Sequence, residues 1–356
     1  MKRKIYFTPG PSALYFTVEE HLRTAFKNQI PSISHRGEEF SNIYRDTDKN
    51  LRELLSLPED YCVFFTGSAT EVWERMLQSS VRSESLHLVN GAFSRRFSNI
   101  AGQLDLNPRV VEVPPGQIVT VDQLPDNYEP ELVGVTHNET STGAMQPLED
   151  IRAIREKYPE ALIAVDVVSS LPVVPLPFDI VDSAYFSVQK CFGLPSGLGV
   201  WLVNNKFIEK ARHITGRSSY HGIDSFLSNY RKYQTPATPN VLSIYLLGKV
   251  VGDMLEKGLD RIRMETRYKS AILYHLLESK VELTPFVEHQ AWRSETIIVA
   301  KGKQTGSLAE ALAQKGLVVG RGYGEFKNDH IRIANFPTHS KEQIEMLADQ
   351  IDGMVN

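Results

Sequence analysis

A chain of 356 residues, 42% hydrophobic and 23% charged, has the apolar content of a globular protein of two domains. Its formal net charge of −4 gives no electrostatic case for nucleic acid or an anionic membrane surface. Two cysteines, Cys62 and Cys191, argue for neither a disulfide framework nor a zinc site. Even the apolar stretch over 241–255 is broken by Lys249 and Asp253 before it could span a bilayer, and the opening MKRKIYFTPGPS lacks the apolar core of a secretory signal. A reduced, cytoplasmic setting is the default expectation.

From the amino terminus, Phe7-Thr8-Pro9-Gly10-Pro11-Ser12 is a turn-forming cluster locked by two prolines. A helix follows over 19–28. Ser34-His35-Arg36-Gly37 then leads into a long amphipathic helix over 38–57 with Phe40, Ile43, Leu51, Leu54 and Leu55 on its apolar side. A short strand at 62–65 runs into Thr66-Gly67-Ser68-Ala69-Thr70, small residues at a strand-to-helix turn. Backbone N–H groups and a hydroxyl there can meet a phosphate at the positive end of the next helix, although Ser and Thr serve equally as plain N-caps. A strand over 86–90 ends in Gly91-Ala92-Phe93-Ser94, where Phe93 can be a stacking surface or core. Another over 132–136 ends in His137-Asn138-Glu139-Thr140-Ser141-Thr142-Gly143. A crossover helix over 150–158 completes the β-α-β alternation of a doubly wound sheet.

Two apolar strands in the middle of the chain each end in a residue that an ordinary core rejects. Leu162, Ile163, Ala164 and Val165 read as a strand buried on both faces, and it stops at Asp166. The run over 183–188 stops at Gln189-Lys190, and a loop of small residues leads to a return strand over 198–203. Ligands of open α/β sheets collect outside the carboxyl ends of the strands, so an acid and an amine are both delivered to the ligand edge. A Lys can hold an aldehyde as an imine and an Asp can pair with a protonated ring nitrogen, which suits a pyridine cofactor. The plainer alternative is a solvated Lys and an Asp that caps a turn.

Farther on come a helix over 205–213, an irregular stretch over 216–222, and Tyr233-Gln234-Thr235-Pro236-Ala237-Thr238-Pro239-Asn240, a proline-defined loop before a long helical region over 241–279 with one break near Gly258. The remainder alternates short strands (281–287, 295–300, 317–320 and 330–334) with helices over 307–315 and 340–354. This reads as a smaller α+β domain completed by the amino-terminal arm. The expected division is 16–250 for the large α/β domain and 1–15 plus 251–356 for the small one. Inside the last strand, Arg332 sits between Ile331 and Ile333, where an Arg can snorkel or pair with an acid.

Asp166-Val167-Val168-Ser169-Ser170 and SVQKCFGLPSGLGVWLV over 187–203 resemble the Asp and Lys segments of class V aminotransferases, fold type I enzymes that use pyridoxal 5'-phosphate. PGP from Pro9, SHRGEEF from Ser34 and HIRI from His330 extend the resemblance over most of the chain. It implies a large doubly wound mixed sheet domain with a smaller α+β domain. It also implies a homodimer with shared active sites that acts on amino acids and 2-oxo acids, with neither nucleic acid nor membrane as partner. By the same resemblance Lys190 carries the cofactor imine and Asp166 faces the ring nitrogen. Phe93 and Val168 lie on opposite ring faces, Thr140 contacts the ring oxygen, and Gln189 is a further cofactor contact. Ser68, Ala69 and Thr70 surround the cofactor phosphate. Thr238, with Thr235 as the alternative, reaches the phosphate of the neighbouring subunit.

For the substrate, His35 and Arg36 match the SHR motif of phosphoserine aminotransferases, whose Arg helps bind the substrate phosphate, and a fork of donors suits that group. Arg332 is similar to the Arg that forks onto the α-carboxylate. The resemblance thus implies phosphoserine:2-oxoglutarate transamination, a step in serine biosynthesis. Three features point instead to the alanine/serine–glyoxylate branch, similar over the same motifs: no Arg in the 66–70 turn, no His-Arg pair in 321–325, and ETSTG at 139–143. A cysteine desulfurase is disfavoured because Cys191 abuts the lysine and Cys62 lies in a strand. A nucleotide-binding module would need a GxGxxG or a GK[ST] loop, and neither is present.

Overall fold

The computed structural model describes residues 4–214 and 220–355, so 216–219 of the irregular stretch lie outside the described residues. In chain order the first half comprises β1 (Ile5–Phe7), α1 (Val18–Lys27), α2 (Glu38–Leu55), β2 (Cys62–Thr66), α3 (Ala69–Ser80), β3 (Ser85–Val89), α4 (Ala92–Gln103), β4 (Pro108–Glu112) and β5 (Leu132–Thr136). A two-residue pair, β6 (Asn138–Glu139) and β7 (Ala144–Met145), precedes α5 (Leu148–Lys157), β8 (Leu162–Asp166), β9 (Ser183–Ser187) and β10 (Gly199–Val203). Then come α6 (Asn205–Arg212), α7 (Ile223–Tyr230), α8 (Val241–Lys257), α9 (Leu259–Glu278), β11 (Leu283–Pro285), β12 (Ile297–Gly302), α10 (Thr305–Gln314), β13 (Leu317–Arg321), β14 (His330–Ala334) and α11 (Lys341–Asp352).

Among the described residues the large sheet has the order β2-β10-β9-β8-β5-β3-β4. β10 alone runs against its neighbours β2 and β9, and the other pairs are parallel. β8, β9 and β10 are buried along their whole length, which is why they read as near-continuous apolar runs. Alternation still sorts their faces. Ile163 and Val165 enter a core with α2, α5 and α8, whereas Leu162 and Ala164 enter a second core with α3, α4, α6 and α7. Asp166 is in phase with Leu162 and Ala164, so its side chain falls on the α3 side.

The smaller sheet runs β1-β13-β14-β12-β11, with the amino-terminal arm paired parallel to β13. Ile331 and Ile333 pack with α9, α10 and α11, and the intervening Arg332 and the flanking Ala334 take the opposite face, where Ala334 meets Cys191. Alternation turns Arg332 away from the layer of Ile331 and Ile333, whereas Asp166 shares the face of Leu162 and Ala164 and passes beyond their apolar core because it is the last residue of β8. The arm then crosses to the Lys190 loop, where the Ser12 amide donates to the Gln189 carbonyl and the Tyr15 amide to the Gly193 carbonyl. We propose the division into two domains on the basis of these two sheets. The expected boundary at 250/251 falls inside α8; the chain's own interruption is Gly258, at a φ of 86°, and we place the proposed division there.

β1, α4, the short pair β6 and β7, β4 and α7 were not expected as such from the sequence. β4 is a half-exposed edge strand whose Pro and Arg mask its strand character. α7 buries Ile223, Phe226 and Leu227 at helical spacing but is too short for the period to stand out beside a Tyr- and Ser-rich stretch.

Gly193 holds the Lys190 loop against both the arm and the small domain. Its φ is 61°, and a Cβ there would stand 2.6 Å from the Tyr15 amide nitrogen and against Thr338. Gly193→Ala is expected to lower the unfolding free energy by about 1–3 kcal/mol, measured by urea denaturation.

Candidate active site

Where β5, β8 and β9 end, facing Arg332 of β14, the chain encloses a cavity of about 210 Å³. Lys190 and Asp166 both line it and are nearly buried. The Lys190 Nζ donates to Thr140 Oγ1 at 2.7 Å, and that hydroxyl donates to Ser169 Oγ at 3.1 Å. Asn138 Nδ2 donates to Ser169 Oγ and Thr296 Oγ1, both at 2.9 Å, so the amine sits at the head of a hydrogen-bonded chain reaching the small domain. Burial pushes the Lys190 amine down to about 8, against the pull of Asp166. Burial likewise pushes Asp166 up to about 7, opposed by the Val168 amide at 2.9 Å and by Lys190. Each group is held near the point where it exchanges a proton at neutral pH.

Phe93 forms one wall, its ring centroid 5.2 Å from the Lys190 nitrogen. It is fixed there by Glu139, a fully buried carboxylate placed at the amino-terminal end of α4. Glu139 accepts from the amides of Phe93, Ser94 and Ser141 and from the hydroxyls of Ser94 and Ser141. A carboxylate at a helix start satisfies orphan N–H groups and complements the dipole. Gly91 is required because a Cβ would collide with the Glu139 side chain.

Arg332 closes the opposite side. Its Nε donates to the Arg321 carbonyl at 2.8 Å and one terminal nitrogen to the Thr140 carbonyl at 3.3 Å, which aims the guanidinium. Tyr323 lies 5.4 Å beneath it and 5.3 Å from the Phe93 ring. Burial lowers the Arg332 pKa from its ordinary value without neutralising it.

Of the other expected residues, Ala69, Thr70, Val168 and Gln189 line the same cavity. Ser68 does not; its hydroxyl caps α3 by accepting from the Glu71 amide at 3.1 Å. Thr238 lines a separate cavity with Gly67, Glu71 and His221. His35 and Arg36 lie outside both. The Arg36 guanidinium donates instead to Asn229 Oδ1 at 2.8 Å and Gln234 Oε1 at 3.1 Å.

Trp73, Asn138 and Tyr323 line the cavity and were not foreseen there. Trp73 had a legible signal, since it follows Ala69 by one helical turn on α3. Tyr323 had none, because a loop of the small domain carries it in.

Residues 8–325 match the family described as aminotransferase class-V. The chain belongs to the class-V aminotransferases. A curated relative, the phosphoserine aminotransferase of Rhodococcus opacus (strain B4), is 31% identical over 336 residues, covering 91% of this chain and 88% of that protein. Among solved structures, a phosphoserine aminotransferase from Cytophaga hutchinsonii is 44% identical, with a TM-score of 0.98 and full coverage of both chains. An aspartate aminotransferase of subgroup IV from Thermus thermophilus is 25% identical, with a TM-score of 0.86 and 98% of each chain covered. As a class-V aminotransferase of fold type I, the protein is a pyridoxal-phosphate-dependent transaminase.

In this class-V enzyme the Lys190 shift has a measurable sign. The unfolded chain holds its Lys190 proton up to 10.5 and the native one only to about 8, so the buried charge costs native stability below pH 8. In cofactor-free protein, Lys190→Met is therefore expected to exceed wild type by up to about 3 kcal/mol near pH 7. The difference should shrink as the pH rises from 8 toward 10.5, followed by chemical denaturation across that range.

Proposed function

We propose that this enzyme is a phosphoserine:2-oxoglutarate aminotransferase that binds pyridoxal 5'-phosphate in the Lys190 cavity and works as a homodimer. The observation that carries the reading is a buried amine and acid at the ends of adjacent parallel strands, in a chain 44% identical along its whole length to a phosphoserine aminotransferase.

The donor set suits the cofactor. One buried polar atom of a cavity residue, Gln189 Oε1, lacks a hydrogen-bond partner among the described residues and is free for a polar ligand. The backbone at Gly10 passes so close that a Cβ would stand 3.2 Å from Lys190 Cε, which confines the amine. Phe93 and Val168 would take the two faces of the ring, Asp166 its nitrogen and Thr140 its oxygen. Ala69 and Thr70, at the start of α3, would take the phosphate. When bound, pyridoxal phosphate supplies an aldehyde that combines with amines and a ring that takes up negative charge from the substrate α-carbon.

Asp166, poised near neutrality, would be negative when it holds a protonated ring nitrogen, and the two charges would then offset each other's burial. Lys190 is the amine for the aldehyde. Once an incoming amino acid has taken its place, the freed Lys190 amine would take the proton from the substrate α-carbon and deliver it to the carbon that was the cofactor's aldehyde. Arg332 orients the α-carboxylate with the terminal nitrogen left unbonded among the described residues. His35, Arg36 and Thr238 do not line this cavity in their own chain, which supports a dimer in which they serve the second copy's site.

One observation favours the alanine/serine–glyoxylate alternative: among the described residues, Arg332 is the only arginine lining the cavity. Steady-state rates with 2-oxoglutarate separate the two readings. Phosphoserine is expected to give the higher kcat/KM, and a preference for serine or alanine would overturn that substrate assignment. Lys190→Ala is expected to abolish turnover together with the borohydride-sensitive visible absorbance of the wild-type enzyme; transamination retained in this variant would refute the role of Lys190.

A further inference from the structure

A second cavity, of about 330 Å³, lies behind the wall that carries the Lys190 hydrogen-bond chain. It opens between the residues that follow β5 and β8 on one side, and α9 with the residues preceding β12 on the other. We propose that this cavity binds a small zwitterion of the amino-acid class and that its occupancy is felt at Lys190.

The wall is one strand thick. Thr136 and Asn138 line the Lys190 cavity, and His137 between them lines the second. Ser169 and Ser170 divide in the same way: Ser169 Oγ accepts from Thr140 in the Lys190 chain, and Ser170 lines the second cavity.

The lining is polar in a way that asks for a ligand. His137 and Ser170 are 1% and 3% exposed, and His137 Nδ1 and Ser170 Oγ have no partner among the described residues. Burial holds the His137 pKa down to about 4, so at neutral pH the ring offers one donor and one acceptor. At the mouth, Arg267 Nε stands 3.9 Å from Glu295 Oε1, too far for a hydrogen bond, and neither side chain hydrogen-bonds elsewhere among the described residues. Met145, Val173 and Val174 supply apolar walls.

These charges select the ligand class. A simple anion drawn to Arg267 meets Glu295 and the exposed Glu149, which also lines this cavity, and a simple cation drawn to either acid meets Arg267. A carboxylate and an ammonium on one carbon answer both, and a polar side chain then reaches Ser170 and His137. A cavity of this size lies at the lower end of those that take small ligands. Thr296, in its lining, donates to the Ser169 carbonyl at 2.6 Å and accepts from Asn138 Nδ2 at 2.9 Å. Through these bonds a ligand's contacts pass to Ser169, Thr140 and the Lys190 amine. The site rests on this geometry and is independent of which substrate the enzyme takes.

The test is calorimetric titration of cofactor-loaded enzyme with L-serine, in wild type and in Arg332→Ala, Arg267→Ala and Ser170→Ala. A saturable event is expected to survive Arg332→Ala, which cripples the active site, and to weaken about tenfold in Arg267→Ala and in Ser170→Ala. In wild type, serine at the concentration that saturates this event should change kcat/KM for transamination, with no such change in Arg267→Ala. Loss of the event in Arg332→Ala, or unchanged affinity in both cavity variants, would mean that the cavity holds water only and would overturn the site. Binding without any change in kcat/KM would overturn the link to Lys190. Serine binding to an enzyme that transaminates nothing would leave this site standing and sink the proposed reaction instead.

Discussion

A buried amine and a buried carboxyl, brought to the ends of adjacent parallel strands, are the constraint that the rest of this fold serves. Neither charge is at ease there: burial drives the amine down to about 8 and the acid up to about 7, each toward neutrality. A core tolerates such a pair only where the surroundings are rigid and already hydrogen-bonded. The sheet beneath it is covered on both faces, β8 and β9 are buried end to end, and Thr140, Ser169 and Asn138 form a hydrogen-bonded chain that leads away from the amine. An amine and an acid that both change protonation near neutral pH are thereby held in fixed positions.

Positioning of the remaining groups follows from two devices. The first is strand geometry: alternation turns Arg332 out of the Ile331 and Ile333 layer, and the end of β8 carries Asp166 past the apolar core that Leu162 and Ala164 enter on the same face, so that both line one cavity. The second is the helix start. α3 presents its amino-terminal end to the cavity, and α4 uses its own to hold the Glu139 carboxylate, which in turn sets Phe93. Glu139 illustrates how a residue with no expected contact to the ligand can decide the shape of a ligand wall.

The amino-terminal arm ties the parts together. It adds β1 to the small sheet, and its Ser12 and Tyr15 amides then clasp the loop that carries Lys190. The loop is therefore braced by both halves of the molecule, and the same seam between halves contains the second cavity beside Ser170 and Thr296.

The linear chain determined by itself the chemistry and most of the architecture. Apolar runs ending at Asp166 and Lys190, the small-residue turn at 66–70 and the Arg332 strand were legible because strand period, turn chemistry and polar interruption are local properties, and the resemblance to class V aminotransferases that these segments carry, with the fold class it implies, supplied the nine expected residues that line the cavity. What only the tertiary structure decided was which residues meet. Ser68 spends its hydroxyl on a helix cap, Arg36 bonds to Asn229 and Gln234, and Tyr323 enters the cavity from a loop far away in sequence. Side-chain encounters across such separations depend on how layers pack and on how hydrogen-bond donors are shared out. Periodicity carries no record of either.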